Sequence, residues 1–268
     1  MLYYKTYKND NTHEWTVLIH GAGGSSAIWF KQIKEFKKNF NVLLVDLRGH
    51  GRSKDVKKLQ QHYSFDDLTK DIIEVLNHLK IRSAHFIGIS LGTVIIRNLA
   101  ELEPRRIKSM VLGGAVTGLN NRVKTLITLG NLGKKVLPYM WLYKLFAWCL
   151  MPKKRHKTSR LVFVEQAKKL CQKEFIKWFS LTKHINSLLT RFNKKRVNIP
   201  TLYIMGEEDY MFLTPVKEIV RKCNKTILTV IKDSGHVCNI DQPEIFNEIS
   251  IKFLKNVGTE NYDSVYSS

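Results

Sequence analysis

A single α/β domain on a doubly wound, mostly parallel sheet, carrying a mainly helical insertion, is the fold that this sequence of 268 residues predicts. Three observations predict it. Short apolar runs ending in small or polar residues recur along the chain, as buried parallel strands do, and helical patterns stand between them. One stretch, 119–197, breaks the alternation with no strong strand candidate. Strands alternating with helices fold into a parallel sheet through right-handed crossovers.

The elements follow in chain order. Leu2–Lys8 predicts one extra strand, linked by the turn Asn9-Asp10-Asn11 to the first apolar run, Trp15-Thr16-Val17-Leu18-Ile19. The next run is 41–45. A helix is predicted over 65–79, where Leu68, Ile72, Val75, Leu76 and Leu79 recur at helical spacing behind the N-cap Ser64, with Asp67 three residues on. Runs at 84–89 and 107–112 flank a helical segment, Thr93–Leu102, and two more strands are predicted at 201–205 and 226–231. The organisation is therefore a core of 1–118 and 198–257 around a helical insertion at 119–197, with a loose polar tail at 258–268. No Pro/Gly/Ser-rich linker divides the chain into independent halves.

Hydrophobic content of 44% and charged content of 25% exclude disordered and fibrous classes. The net charge of +21 raises the question of nucleic acid, because clustered Lys/Arg bind phosphate backbones by counterion release. Its distribution argues against that partner. Residues 121–200 hold 19 Lys/Arg against two acids, Glu165 and Glu174, so a surplus of 17 sits in this segment and only 4 of the +21 elsewhere. The basicity belongs to the insertion, and nucleic-acid binding is not expected. Cys149, Cys171, Cys223 and Cys238 show neither a CxxC pair nor metal-ligand spacing, so reduced thiols and no structural metal are expected. Met1–Thr6 carries no basic segment leading an apolar run, and no stretch reaches the roughly 18–20 apolar residues of a membrane span, which sets a cytoplasmic expectation.

The chemistry is concentrated at predicted strand ends. Gly88-Ile89-Ser90-Leu91-Gly92 joins an apolar strand to a helical run, the strand-turn-helix setting of a GxSxG nucleophile elbow. A serine there sits on a strained turn with its Oγ at a helix N-terminus, where backbone N–H groups face developing negative charge. Glycines two residues either side are needed because a Cβ would collide. Serine alone is a weak nucleophile and needs a base. His236, in Ser234-Gly235-His236 directly after the last predicted strand, can supply it, because parallel strands gather their C-terminal ends along one edge. The third group should be a carboxylate that fixes the imidazole tautomer. Met205-Gly206-Glu207-Glu208-Asp209 follows a strand; Asp209 is chosen over Glu207 and Glu208, an assignment that depends on the other two members. An oxyanion hole needs two preorganised N–H donors. Leu91, after the serine, supplies the first, and Ala22 in the glycine-rich run His20-Gly21-Ala22-Gly23-Gly24 the second.

Together, His20-Gly21-Ala22-Gly23, Asp46-Leu47-Arg48-Gly49-His50-Gly51-Arg52-Ser53, the Ser90 elbow, Gly206-Glu207-Glu208-Asp209 and Gly235-His236 resemble the ordered motifs of the α/β-hydrolase family, from residue 20 to residue 236. The order Ser90, Asp209, His236 matches that family. Some members place the acid after the preceding strand, but Val111–Thr117 offers no carboxylate, which strengthens Asp209. The resemblance implies that 119–197 is a cap over the active site, that His50 is a structural loop residue, and that no cofactor is needed. Serine at the elbow disfavours the members with an aspartate nucleophile. The family is specific as a fold and unspecific as a function.

Within the cap, Val136–Met151 is apolar and aromatic, interrupted by Lys144 and followed by Pro152-Lys153-Lys154-Arg155-His156-Lys157. One reading is a helix covering the catalytic cleft; a sharper one adds peripheral contact with an anionic membrane at its inner surface through the basic cap. The leading expectation is hydrolysis of a small-molecule or lipid-like carboxylic ester with a hydrophobic acyl group. An acyl-CoA thioesterase or a C–C hydrolase or lyase would use the same triad. From a different class stand a small-molecule receptor and a polyanion-binding protein, neither of which needs all five chemical positions.

Overall fold

The computed structural model describes residues 1–54, 56, 63–195, 197–223, 225–257 and 259. Of the expected tail, 258–268, all but Thr259 lies outside the described residues. The described strands are β1 (Tyr4–Tyr7), β2 (Trp15–Ile19), β3 (Asn41–Val45), β4 (Ala84–Ile89), β5 (Ile107–Gly113), β6 (Thr201–Gly206) and β7 (Thr226–Ile231). The described helices are α1 (Ile33–Phe36), α2 (Phe65–His78), α3 (Leu91–Leu102), α4 (Asn121–Gly133), α5 (Tyr139–Leu150), α6 (Lys157–Ala167), α7 (Gln172–Ser180), α8 (Thr182–Lys194), α9 (Leu213–Val220), α10 (Cys238–Asp241) and α11 (Pro243–Asn256). The strands form one sheet in the order β1-β3-β2-β4-β5-β6-β7, parallel throughout except for β1.

Helices cover both faces, as a doubly wound sheet requires. Leu68 and Ile72 of α2, Val94 and Ile95 of α3, Leu188 of α8 and Val216 of α9 pack on one face, and Phe36 of α1 with Phe246 and Phe253 of α11 on the other. The capping expected for α2 is present: Ser64 Oγ accepts from the Asp67 N–H at 3.1 Å and donates to Asp67 Oδ2 at 2.7 Å. Such a cap contributes about 1 kcal/mol.

Two details go beyond what the sequence pattern shows. β1 does not pair with β2, to which its turn leads, but runs antiparallel along β3, Tyr4 opposite Val45 and Tyr7 opposite Val42. Asn41 at the start of β3 fixes this register: its Oδ1 accepts from the Asn9 N–H at 3.0 Å and its Nδ2 donates to the Thr12 carbonyl at 2.8 Å. β7 reads as a buried run but is the outer strand, half-buried along most of its length, with Val230 exposed.

Between β5 and β6 the described chain is helical, α4 to α8. Leu142, Tyr143, Ala167, Leu170, Phe175 and Phe179 form a small core of their own there. α8 is different: Ile185, Leu188, Leu189 and Phe192 pack into the main core beside the sheet. Polar contacts add to the apolar ones that join the insertion to the core, where Val123 and Trp178 pack in the main cluster and Ala147 and Met151 in the cluster on the other face. Trp178 Nε1 donates to the Arg48 carbonyl at 3.0 Å, and Arg191 Nε lies 2.9 Å from Glu101.

Candidate active site

The C-terminal ends of β2, β4, β6 and β7 lead into the loops that hold the expected residues. Ser90 ends β4 and caps α3 with φ 55° and ψ −123°, a backbone conformation that a non-glycine residue adopts only under strain. The surroundings enforce it. The Ser90 N–H continues the sheet by donating to the Gly113 carbonyl at 3.0 Å, and Thr93 Oγ1 donates to the Ser90 carbonyl at 2.6 Å. The flanking glycines are explained by crowding: a Cβ on Gly92 would lie 2.4 Å from the Ile19 carbonyl oxygen, and one on Gly88 would lie 2.6 Å from Ile96 Cδ1.

Ser90, His236 and Asp209 come together although 119 residues separate the first from Asp209 in the sequence. His236 Nε2 lies 2.9 Å from Ser90 Oγ, and Nδ1 lies 2.8 Å from Asp209 Oδ2. The second carboxylate oxygen, Oδ1, accepts from the N–H groups of Met211 at 3.2 Å and Phe212 at 3.0 Å. Asp209 is thus held by the backbone of its own turn, with Oδ2 left to face the imidazole. Asp209 and His236 are buried, and the Phe212 ring lies against the imidazole with centroids 5.1 Å apart.

The loop after β2 is braced by two buried histidines. The Leu47 N–H donates to His20 Nε2 at 3.0 Å, so His20 Nδ1 carries the proton and donates to the Gly21 carbonyl at 2.7 Å. The Gly23 N–H donates to His50 Nε2 at 2.9 Å, while His50 Nδ1 donates to the Arg48 carbonyl at 2.8 Å. Each ring therefore needs one unprotonated nitrogen. Burial lowers both pKa values, and the neighbouring His20 adds to the effect at His50, whose pKa falls to about 3. With Gly23 engaged, the N–H groups of Ala22 and Leu91 remain without a partner among the described residues, and both residues line the cavity beside Ser90.

A pH dependence of stability follows. In the unfolded chain His50 takes up a proton near its ordinary value of 6.5, but in the folded protein only near 3. Its contribution is complete above about pH 6.5 and is lost as pH falls toward 3. At pH 4.5 the loss should be on the order of 2–3 kcal/mol. Urea midpoints at pH 7 and 4.5 measure it, and the difference should shrink in His50→Gln; an equal difference in that variant would assign the effect to other groups.

Above the serine lies a cavity of about 190 Å³, walled by apolar side chains such as Leu126, Phe146, Phe175 and Phe179 of the insertion and Met211 and Phe212 of the core. The polar exceptions include Ser90, His236, Thr182 and Tyr143. Tyr143 is a site residue that the sequence reading passed over. It lies on α5 and is buried, its hydroxyl pressed against the glycine loop so closely that a Cβ on Gly23 would be 2.8 Å from it. The hydroxyl has no hydrogen-bond partner among the described residues. Burial raises its pKa, which keeps it a neutral donor.

The basic run at 153–157, read in the sequence as a flank that could meet an anionic membrane, in large part grips the two loops that carry Asp209 and His236. Lys153 Nζ lies 2.6 Å from Glu208 Oε1, Arg155 pairs with Asp233, and the buried His156 ring lies 2.8 Å from Glu208 Oε2 with its edge against Gly235. Burial would raise the Glu208 carboxyl, but the Lys153 hydrogen bond and the charges of Arg155, Lys153 and His156 outweigh it and hold the carboxyl below its ordinary range. Glu208, weighed in the sequence as an alternative to Asp209, points to this clamp instead of to His236. Among the described residues no group of three His, Cys, Asp or Glu could hold a metal ion.

Residues 15–141 match the family model described as alpha/beta hydrolase fold. An uncharacterized hydrolase, YugF, of Bacillus subtilis (strain 168) is 26% identical over 269 residues, covering 95% of this chain and 94% of that protein. Among solved structures, a carboxylesterase of the thaumarchaeon Nitrososphaera gargenis has a TM-score of 0.76 at 24% identity over 96% of this chain and 94% of that one. The enol-lactonase of Burkholderia xenovorans LB400 has a TM-score of 0.78 at 20% identity, over 95% of this chain and 96% of that one. With the sheet order, the motif order and these likenesses in agreement, the chain has the α/β-hydrolase fold and is similar to hydrolases of that family.

Proposed function

We propose that the protein is a serine hydrolase that cleaves carboxylic esters with a hydrophobic acyl group through an acyl-enzyme. The observation that carries this reading is the unbroken hydrogen-bond chain from Ser90 Oγ through His236 to Asp209, opening into an apolar cavity. Ser90 Oγ attacks the ester carbonyl carbon while its proton passes to His236 Nε2. Asp209 holds Nδ1–H and stabilises the imidazolium that results. The Ala22 and Leu91 N–H groups receive the oxyanion at the N-terminus of α3. His236 then returns the proton to the departing alkoxide, and water, deprotonated by the same nitrogen, releases the acid. The likenesses to a carboxylesterase and an enol-lactonase, both named for esters, support the reaction class.

Cavity size bears on the substrate. At about 190 Å³ the space is smaller than the ~300–1,000 Å³ of drug-sized ligand pockets, and among the described residues its walls hold no charged side chain apart from His236 when protonated. A short to medium acyl chain fits. A series of p-nitrophenyl esters should therefore peak at about four to eight acyl carbons, and matched acyl-CoA thioesters should be no better substrates. A clear preference for acyl-CoA would shift the reading to a thioesterase; salt-sensitive polyanion binding with no turnover would shift it to a binding protein.

Tyr143 is assigned a place in this scheme as a donor to the substrate. Its hydroxyl sits beside the oxyanion loop in a water-poor cavity, where an extra hydrogen bond contributes about 1 kcal/mol. Tyr143→Phe should lower kcat/KM by about five- to tenfold with unchanged thermal stability. An unaltered kcat/KM would reduce Tyr143 to a packing residue.

A further inference from the structure

The two helices that wall the cavity from one side, α4 and α5, also carry apolar residues on their outer side, where no described residue covers them. On α5, Trp141 is 67% exposed, Leu145 42% and Trp148 62%, a spacing that places all three on one stripe. Lys144 is exposed on the same stripe. At the end of α4 and in the turn into α5, Leu132 is 73% and Val136 82% exposed, with Leu129 and Leu137 also exposed. The opposite side of α5 turns Leu142 and Tyr143 inward and Phe146 into the cavity wall. A helix apolar all round ordinarily lies in a core or against lipid, and a contiguous apolar patch of this kind marks an interaction site.

Charge narrows the choice of partner. Between Glu103 and Glu165 the sequence contains 13 Lys/Arg and not one Asp or Glu. Lys135 and Lys144, exposed beside the patch, have no acidic partner among the described residues. The lysine-rich run after α5 is less available than its sequence suggests, because Lys153 and Arg155 are engaged with Glu208 and Asp233, leaving Lys154 and Lys157 exposed. A second copy of this chain docked face to face would bring two acid-free, lysine-bearing surfaces together. An anionic surface fits instead, and exposed tryptophan and leucine framed by lysine suit the interface between headgroups and acyl chains.

We propose that the outer face of α4 and α5, from Leu129 to Trp148, docks on an anionic lipid bilayer. No described helix is long and apolar enough to cross a membrane, so the contact is peripheral. Trp141, Leu145 and Trp148 enter the interface and Lys135 and Lys144 pair with lipid phosphates. Docked this way, the helices that touch lipid on one side are those that face Ser90 on the other.

The test is co-sedimentation of the whole protein with vesicles of phosphatidylcholine alone and of phosphatidylcholine mixed equally with phosphatidylglycerol, with tryptophan emission recorded on each. Wild type should bind the phosphatidylglycerol vesicles at least about tenfold more strongly, with a blue shift in emission. Trp141→Ser/Trp148→Ser and Lys135→Glu/Lys144→Glu should each lose about tenfold or more of that binding, while melting temperatures stay at the wild-type value and show the variants folded. Binding that survives the tryptophan substitutions would overturn the proposal in favour of diffuse attraction by the basic chain. Absence of binding, or a wild-type self-association abolished by the tryptophan pair, would overturn it as well. None of these readouts depends on turnover, so the proposed ester hydrolysis stands or falls separately.

Discussion

His236→Ala is expected to lower kcat on a soluble ester by about 10⁵–10⁶-fold, Ser90→Ala by about as much, and the double variant by no more than either alone. The reason is that in the proposed scheme the two groups perform one act: Oγ attacks only as Nε2, 2.9 Å away, takes its proton. Removing either leaves the contribution of binding and of the oxyanion donors. Asp209→Asn should cost less, about 10⁴-fold, and the geometry says why. Oδ1 accepts two backbone N–H bonds, from Met211 and Phe212, so an asparagine would keep its carbonyl oxygen there and turn its NH₂ toward His236 Nδ1. That nitrogen would have to accept, the ring proton would move to Nε2, and the base would face Ser90 already protonated. Steady-state kcat for the four variants checks the scheme; His236→Ala retaining activity within about tenfold of wild type would break it.

Gly206→Ala should damage both stability and rate without touching a reacting group. A Cβ at this position would lie 2.1 Å from the Gly235 carbonyl oxygen and 2.3 Å from that of Ser234. Both are backbone atoms, and neither can rotate away. The contact lies where the end of β6 enters the Asp209 turn and meets the loop that carries His236, two segments tied by the Glu208 N–H donating to the Ser234 carbonyl at 2.9 Å. Relief of the clash has to separate Asp209 from His236. Overpacking against rigid neighbours costs about 3 kcal/mol, and a shift near 1 Å between catalytic groups costs about 10²-fold in rate. Thermal melting and kcat/KM measured together check this, and wild-type values in both would show that the two segments can part without harm.

The strands from β2 to β6 were legible in the sequence because strands buried on both faces leave continuous apolar runs, and helices between them leave periodic ones. What a single run does not record is its neighbour. β7 has the composition of a buried strand yet lies at the edge, and the side of the sheet that β1 joins is decided by the Asn41 side chain, a contact over 32 residues. Ser90, Asp209 and His236, which the fold brings together, could be picked out as candidates because each needs a particular local setting, a tight turn or a strand end, and such settings leave glycines behind. Tyr143 could not. In a segment with Tyr139, Trp141, Phe146 and Trp148, one more aromatic carries no signal, and its inward direction depends on how α5 packs against the glycine loop. Lys153, Arg155 and His156 hid their role for a related reason: they look like surface charge until the fold brings Glu208 and Asp233 to them.

An activated Ser90 is the centre of the account, and covalent labelling tests it most directly. Folded wild-type protein should react with a fluorophosphonate probe at a single residue, Ser90, and Ser90→Ala should not be labelled. Absence of labelling in the folded wild type, or labelling undiminished in Ser90→Ala, would contradict the proposed chemistry.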